Sequence, residues 1–320
     1  MSADVLLYLE GEENLYRMIR NHRPDGGVIV QNHYRCKGND DVPAWEMEYL
    51  TFPVLEALPC VRHLFTTRTG GVSKGIYESL NLSFTRGDDP AAVLENFDRV
   101  AQVLGTKKEN IVCSDQTHTD TLRIVTENDA GKGVVRERDY TDVDGLITRE
   151  KGIVLATFFA DCVPLFFVDP VKEVIALSHS GWRGTVAEIG KKTVERMQGE
   201  FGCDPSDIRA AIGPSICRDC YEVSSDVVCA FKTLFSGQEF YRENNAFAQV
   251  FYQKDERQKQ EGKYQLDLWK ANELILRSAG ILPEHLDITD VCTAHNPDYL
   301  FSHRITNGKR GNLGAFLMLR

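Results

Sequence analysis

Four short segments of this 320-residue chain gather reactive side chains. They are Gln116-Thr117-His118, Ala160-Asp161-Cys162, His179-Ser180-Gly181-Trp182-Arg183-Gly184, and a tail in which Cys292-Thr293 precedes Ser302, Arg304 and Arg310. Two imidazoles and a thiolate make a good zinc set, and a catalytic zinc keeps its fourth position open. His118, Cys162 and His179 are therefore the candidate ligands. Asp161, next to Cys162, is placed to orient a ligand or to move a proton. The same atoms also suit a metal-free use, with a Cys162 thiolate activated by His179 for acyl or amide chemistry. A Cys flanked by apolar strands is also an ordinary small core residue. Spacing does not separate these readings.

Two glycine-containing loops add polar groups. Gly181-Trp182-Arg183-Gly184 opens a predicted helix, where backbone N–H groups favour anions, and Arg183 adds a planar cation suited to phosphate or carboxylate. Thr66-Thr67-Arg68-Thr69-Gly70-Gly71-Val72-Ser73 carries Arg68 and Ser73, and Ser79-Leu80-Asn81-Leu82 follows it. Cys217-Arg218-Asp219-Cys220 is a lone CxxC without a second pair, read here as structural, its thiols under no requirement to face each other. There is no HExxH, Walker loop or GxGxxG. The HxE signature of nucleobase deaminases is absent. So are the His-x-His pairs expected where several coppers cluster, which makes copper the less favoured metal.

The elements that must position these residues can be read from periodicity. Asp89 caps a helix over about 90–104, with Pro90 in its first turn and Val93, Phe97, Val100 and Leu104 on one face. A second helix is expected over about 185–201 and a third over about 268–279, ended by Gly280. Residues 153–159, 163–168 and 174–178 are apolar runs of strand type, the last two joined at Asp169-Pro170. Antiparallel pairing of those two would bring Cys162 and His179 together. Gly26 to Val30 suggests a short strand and Lys37 to Asp41 a polar loop. The polar segment 237–262 reads as an insertion or mobile loop with room for a helix. The pattern predicts an α+β fold of mixed sheets with packed helices, with residues 1–45 an N-terminal extension and 46–320 one catalytic domain.

Composition narrows the class. Hydrophobic residues at 42% and charged residues at 26% are ordinary for a soluble globular chain. A formal charge of -10, with Lys and Arg scattered, argues against nucleic acid as a partner. No apolar run reaches membrane-spanning length and the first residues lack a signal-peptide pattern, so no membrane partner and a cytoplasmic location are expected. The nine cysteines are then expected to be thiols.

Taken together and in order, several motifs resemble the YfiH-type laccase-domain family. They are Thr66-Thr67-Arg68 with Gly70-Gly71-Val72-Ser73, Ser79-Leu80-Asn81-Leu82, Gly87-Asp88, Gln116-Thr117-His118, Asp144-Gly145-Leu146-Ile147-Thr148, and Ala160-Asp161-Cys162-Val163-Pro164. His179 to Gly184, Ile212 to Ile216 with Tyr221-Glu222-Val223, Cys292-Thr293, and Phe301-Ser302 with Arg304 complete the set. The resemblance implies a single YfiH-like domain with one zinc held by His118, Cys162 and His179. It implies a purine nucleoside phosphorylase acting on adenosine, inosine, guanosine and methylthioadenosine, with adenosine deaminase activity, and so purine nucleosides and phosphate as partners. Editing of peptidoglycan precursors and a copper-dependent polyphenol oxidase label also attach to the family. On this reading Arg68 and Arg183 neutralise phosphate, Ser73 and Asn81 hold ribose hydroxyls, and Asp161 orients or deprotonates. Ser180, Thr117 and His303 depart from the residues usual in the family, and none of them is a proposed ligand.

Overall fold

The computed structural model describes residues 6–7, 29–38 and 43–320. Two large sheets lie face to face. The first has seven strands in the order Leu6–Leu7, Val30–Cys36, Trp45–Thr51, Val61–Thr66, Leu313–Leu319, Val154–Phe159, Ile111–Cys113. The second has six, in the order Leu286–Ile288, Arg209–Ile212, Val163–Asp169, Val174–Ser180, Gly145–Thr148, Leu122–Ile124. Neighbours pair antiparallel except at Ile111–Cys113 in the first sheet and at both edges of the second.

Side-chain alternation explains why the sheets stack. Strand Val163–Asp169 is buried throughout. Phe166 and Val168 face the other sheet, packing with Phe65, Leu155 and Leu317. Leu165 and Phe167 face the opposite way, onto a cluster with Val194, Met197, Leu274 and Phe231. A strand apolar on both faces belongs between two packed layers, which is why these runs are continuous rather than alternating. Helices Ile189–Phe201, Ser225–Gly237 and Leu268–Ser278 cover the outer face of the six-stranded sheet. Helix Pro90–Leu104 covers the outer face of the other through Val93, Phe97 and Val100. The result is the expected α+β fold with mixed sheets.

The capping signals hold. The Asp89 carboxylate accepts from the Ala91 N–H, and Gly105 ends that helix in the left-handed region. Asp267 accepts from the Lys270 N–H at the start of Leu268–Ser278. Two expectations need correction. The predicted helix at 185–201 is two helices, Trp182–Val186 and Ile189–Phe201, broken at Glu188, whose φ is 57°. The Glu188 carboxylate is held across the break by Gln238 Nε2 at 2.8 Å and by the Tyr241 hydroxyl. The segment 237–262 is not a loose insertion. It folds into helices Glu239–Glu243, Ala246–Val250 and Glu256–Glu261 and strand Phe251–Tyr252, anchored by buried Tyr241, Val250 and Phe251. Its scattered apolar residues are the ones that reach the core, and the surrounding charge hides them from a composition reading.

The strand that begins the first sheet's described core runs Val30–Cys36 and pairs fully with Trp45–Thr51. Gly26 to Val28 of the predicted strand and most of the predicted loop after Lys37 lie outside the described residues. Among the described residues no helix is long and apolar enough to cross a membrane.

Candidate metal centre and its cavity

Strands Val154–Phe159 and Val163–Asp169 are neighbours in sequence but belong to different sheets. Ala160-Asp161-Cys162 is the crossing between them. Asp161 has φ 86°, the sharp bend that lets the chain leave one sheet and enter the other. Strand Val174–Ser180 returns antiparallel, with Ser180 opposite Val163 and His179 opposite Pro164. The hairpin thus brings Cys162 beside His179, as its spacing suggested.

His118 arrives from the loop between Ile111–Cys113 and Leu122–Ile124. Its left-handed backbone, φ 67°, is held by one buried carboxylate. Asp144 accepts from the N–H groups of Thr117, His118 and Thr119 and from the Thr119 hydroxyl. Asp144 Oδ1 also meets His179 Nδ1 at 2.7 Å. That contact puts the proton on Nδ1 and leaves Nε2 free to ligate. Cys162 Sγ lies 3.8 Å from His118 Nε2, and the three ligand atoms all fall within 4.8 Å of one another. Gly181 makes this approach possible. A Cβ there would stand 2.9 Å from His118 Cδ2 and 3.0 Å from Cys162 Sγ.

The electrostatics favour a thiolate–imidazolium pair, from which a metal ion would displace the His179 Nε2 proton. Burial opposes the Cys162 thiolate, but His179 and His118 outweigh it and bring the thiol down to about 6. Burial opposes the His179 cation, but Cys162 and Asp144 raise it to about 9. Burial also works against the Asp144 carboxylate, and His179 with the converging N–H groups still holds it below the ordinary range.

The trio opens onto a cavity of about 1150 Å³. Asp161 lines it, with both carboxylate oxygens engaged: Oδ1 accepts from the Thr293 hydroxyl and Oδ2 from the Arg304 N–H, each at 2.6 Å. Arg86, Arg304 and Arg310 also line it, with Tyr221, Phe158 and His303. Arg310 is buried, and burial with the charge of Arg86 lowers it to about 10. Its Nε has no hydrogen-bond partner among the described residues.

The other residues singled out in the sequence lie elsewhere. Arg68 donates to the carbonyls of Glu78 and Pro297, at 2.7 Å each, and stacks on Phe301. Ser73 is buried and accepts from Asn96 Nδ2. Asn81 is buried and ties Asp88, Ser83 and the Asn312 N–H together. Arg183 is exposed, its guanidinium 4.5 Å over the Trp182 ring, and the helix it sits in has only five residues. These four are in or beside the matched motifs, yet they do not line the cavity. The cationic wall comes from Arg86, Arg136, Arg138 and the tail, with Arg136 already spent on the Asn128 and Ala130 carbonyls and Arg138 on Asp115 and the Ser114 carbonyl. The tail's Arg304 and Arg310 stood out in sequence, but nothing local said that they face Cys162.

The lone CxxC requires a correction. Cys217 and Cys220 do not stand alone: with Cys292 and His295 they form a second group able to hold a metal ion, all four ligand atoms within 4.8 Å of one another. Sequence reading missed it because the partners lie in a distant loop and the last ligand is a His rather than a Cys.

A mixed α+β sandwich with a His–Cys–His cluster able to hold a metal at a sheet crossing, open to an arginine-lined cavity, has the form of an enzyme's site rather than of a structural module. The chain belongs to the multi-copper polyphenol oxidoreductase laccase family, whose model matches residues 62–320. It is 38% identical over 260 residues to the purine nucleoside phosphorylase YlmD of Bacillus subtilis (strain 168), covering 80% of this chain and 87% of that one. It is 34% identical over 261 residues to adenosine deaminase RL5 of an unknown prokaryotic organism, covering 81% and 93%. The crystal structure of Bacillus licheniformis hypothetical protein YfiH superposes with a TM-score of 0.78 at 33% identity, covering 85% of this chain and 96% of that chain.

Proposed function

We propose that this protein is a purine nucleoside phosphorylase that also deaminates adenosine, with zinc held by His118, Cys162 and His179. The observation that carries the proposal is the pairing of that trio with a cationic wall across one cavity, in a chain similar to enzymes named for both activities. The donor set fits zinc: one thiolate, one imidazole fixed by Asp144, a second imidazole 3.8 Å from the sulfur, and no fourth protein ligand among the described residues. Zinc, when bound, supplies Lewis acidity to an oxygen ligand.

The chain's own groups then divide the work. In phosphorolysis a phosphate oxygen attacks ribose C1′, the bond to the purine nitrogen breaks, and the base leaves. Arg310 is the first candidate to hold the phosphate, because it lines the cavity and its buried Nε has no hydrogen-bond partner among the described residues. Arg304 and Arg86 complete that wall. Arg68 and Arg183 give up the role assigned to them, since one is spent on backbone carbonyls and the other is exposed away from the cavity. Asp161 acts as a positioning residue, holding the Arg304 backbone and the Thr293 loop. In deamination, water adds at C6 of the purine and ammonia leaves.

Product analysis of adenosine with and without phosphate tests this reading. Wild-type protein should form ribose 1-phosphate and adenine only with phosphate, and inosine without it, and Cys162→Ala should lose both. Ribose 1-phosphate formed equally by the two proteins would sink the zinc assignment. Arg310→Met should raise the KM for phosphate roughly tenfold or more, about the 1.4 kcal/mol or greater of one charged hydrogen bond, while deamination falls little.

One observation favours a second reading. Cys162, His179 and Asp144 stand in the order thiolate, imidazole, carboxylate, the arrangement of a metal-free cysteine amidase. A chelator that abolishes nucleoside turnover while leaving amide hydrolysis of a cell-wall peptide intact would support it. A copper-dependent phenol oxidase would instead show oxygen uptake that tracks added copper.

A further inference from the structure

The second cluster lies outside the cavity, and none of its four residues lines it. Strands Arg209–Ile212 and Leu286–Ile288 are parallel neighbours, so the loops that follow them leave the sheet side by side. The backbone joins those loops before any side chain does. Ser215 bridges Cys292, the Ser215 N–H donates to the Val291 carbonyl at 3.3 Å, and the Thr293 N–H donates to the Ser215 carbonyl at 3.1 Å. This register carries Cys217 and Cys220 from one loop to Cys292 and His295 of the other, 75 residues apart.

The four residues each bring one ligand atom within 4.8 Å of the others, close enough for one ion. Zinc–sulfur bonds of about 2.3 Å and zinc–nitrogen bonds of about 2.0 Å at tetrahedral angles separate neighbouring ligand atoms by roughly 3.5–3.8 Å. Cys217 Sγ lies 3.8 Å from His295 Nδ1, the spacing expected if Nδ1 ligates, while Cys220 Sγ lies 3.1 Å from the other ring nitrogen, Nε2, and closes on the ion only by a small turn of its side chain. The Cys217 N–H points at Cys292 Sγ at 3.3 Å, a contact that stabilises a thiolate. None of the nine cysteines is in a disulfide. Cys217 and Cys292 are buried, and Cys220 and His295 are partly so. The Lys254 ammonium, which donates to the Asp219 carbonyl, places one positive charge beside Cys220.

We propose that Cys217, Cys220, Cys292 and His295 bind one zinc ion in a closed Cys3His site separate from the catalytic centre. Four protein ligands fill the tetrahedron, so the site has no open position for substrate and its role is structural. Its neighbours in sequence are the wall of the active cavity. Thr293, next to Cys292, donates to Asp161 Oδ1; the Ile216 N–H, next to Cys217, donates to the Asp161 carbonyl at 3.0 Å; and Tyr221, next to Cys220, lines the cavity. The ion braces the bend that presents Cys162.

The test is metal content of the full chain, purified under reducing conditions without chelator. Wild type should carry about two zinc ions per chain, and Cys220→Ser and Cys162→Ala about one each. Cobalt substitution supplies a second measurement that does not depend on Cys220→Ser folding. Cys162→Ala has lost the catalytic thiolate, so its cobalt form should keep a strong sulfur-to-cobalt charge-transfer band from the three remaining thiolates. A wild-type content of one zinc unchanged in Cys220→Ser, a Cys162→Ala protein without the cobalt–thiolate band, iron in place of zinc, or a Cys217–Cys220 disulfide in the freshly purified protein would each overturn the proposal. Zinc lost from Cys220→Ser but retained in full by Cys162→Ala would leave this site standing and refute zinc at the catalytic one.

Discussion

Asp144 is the residue on which the proposed metal centre turns. Its carboxylate gathers three successive N–H groups at 117–119 and the His179 imidazole, so one buried charge sets the backbone of one ligand and the tautomer of another. Asp144→Asn keeps the shape but removes the charge and places an NH2 among donors. It should weaken zinc binding at His118, Cys162 and His179 by roughly 10–100-fold, the usual cost of losing an outer partner of a ligating His. Competition with a chelator measures this. Unchanged affinity would show that Asp144 is a folding residue only. In sequence Asp144 was visible as part of a motif, but its role was not, because its partners lie 25 to 35 residues away on both sides.

At the scale of elements, the centre is built where the chain passes from one sheet to the other and then returns as a hairpin. Gly181 closes that corner. Its φ of -73° suits any residue, so glycine is required there for space and not for backbone freedom. Gly181→Ala should therefore leave the thermal midpoint within a few degrees, roughly the 1–3 kcal/mol range of a local overpacking. It should still lose most nucleoside turnover, because the methyl would press on His118 and Cys162 together. Circular dichroism melts beside turnover numbers separate the two effects, and full activity in Gly181→Ala would mean that the ligands move aside freely. The break at Glu188 belongs to this scale too. Periodicity reads 185–201 as one helix because its apolar stripe continues through the break, whereas Gln238 and Tyr241, which hold Glu188 there, come from a segment that looks like a loop.

Across the whole molecule the two sheets press on one another through an interior that includes His63. Its Nε2 accepts the Phe52 N–H at 2.9 Å, and the ring packs on Phe52 and Phe166 of the facing sheet. Burial lowers it to about 3, so it stays neutral in the folded protein, while the unfolded chain protonates it near 6.5. Below about pH 6.5 the unfolded state binds the extra proton, so this group's stability contribution falls as pH falls, by about 1.4 kcal/mol per pH unit, until the folded value is reached. Urea midpoints at pH 7 and pH 5 should show this loss, and His63→Gln, which keeps an acceptor for the Phe52 N–H, should reduce it. An equal pH dependence in both proteins would place the acid sensitivity elsewhere.

The sequence by itself determined which residues could do chemistry, the caps and apolar faces of the long helices, the buried strands, and the hairpin that joins Cys162 to His179. Those are local matters, fixed by periodicity, capping chemistry and chain direction within a few tens of residues. The tertiary structure alone decided that strands 154–159 and 163–169 part into different sheets, that Arg86 and the tail arginines rather than Arg68 and Arg183 face the cavity, and that a lone CxxC meets Cys292 and His295. The physical reason is common to all three. Which sheet a strand joins, and which loops emerge side by side, depends on burying both apolar faces of the central strands at once, and that requirement links residues far apart in the chain.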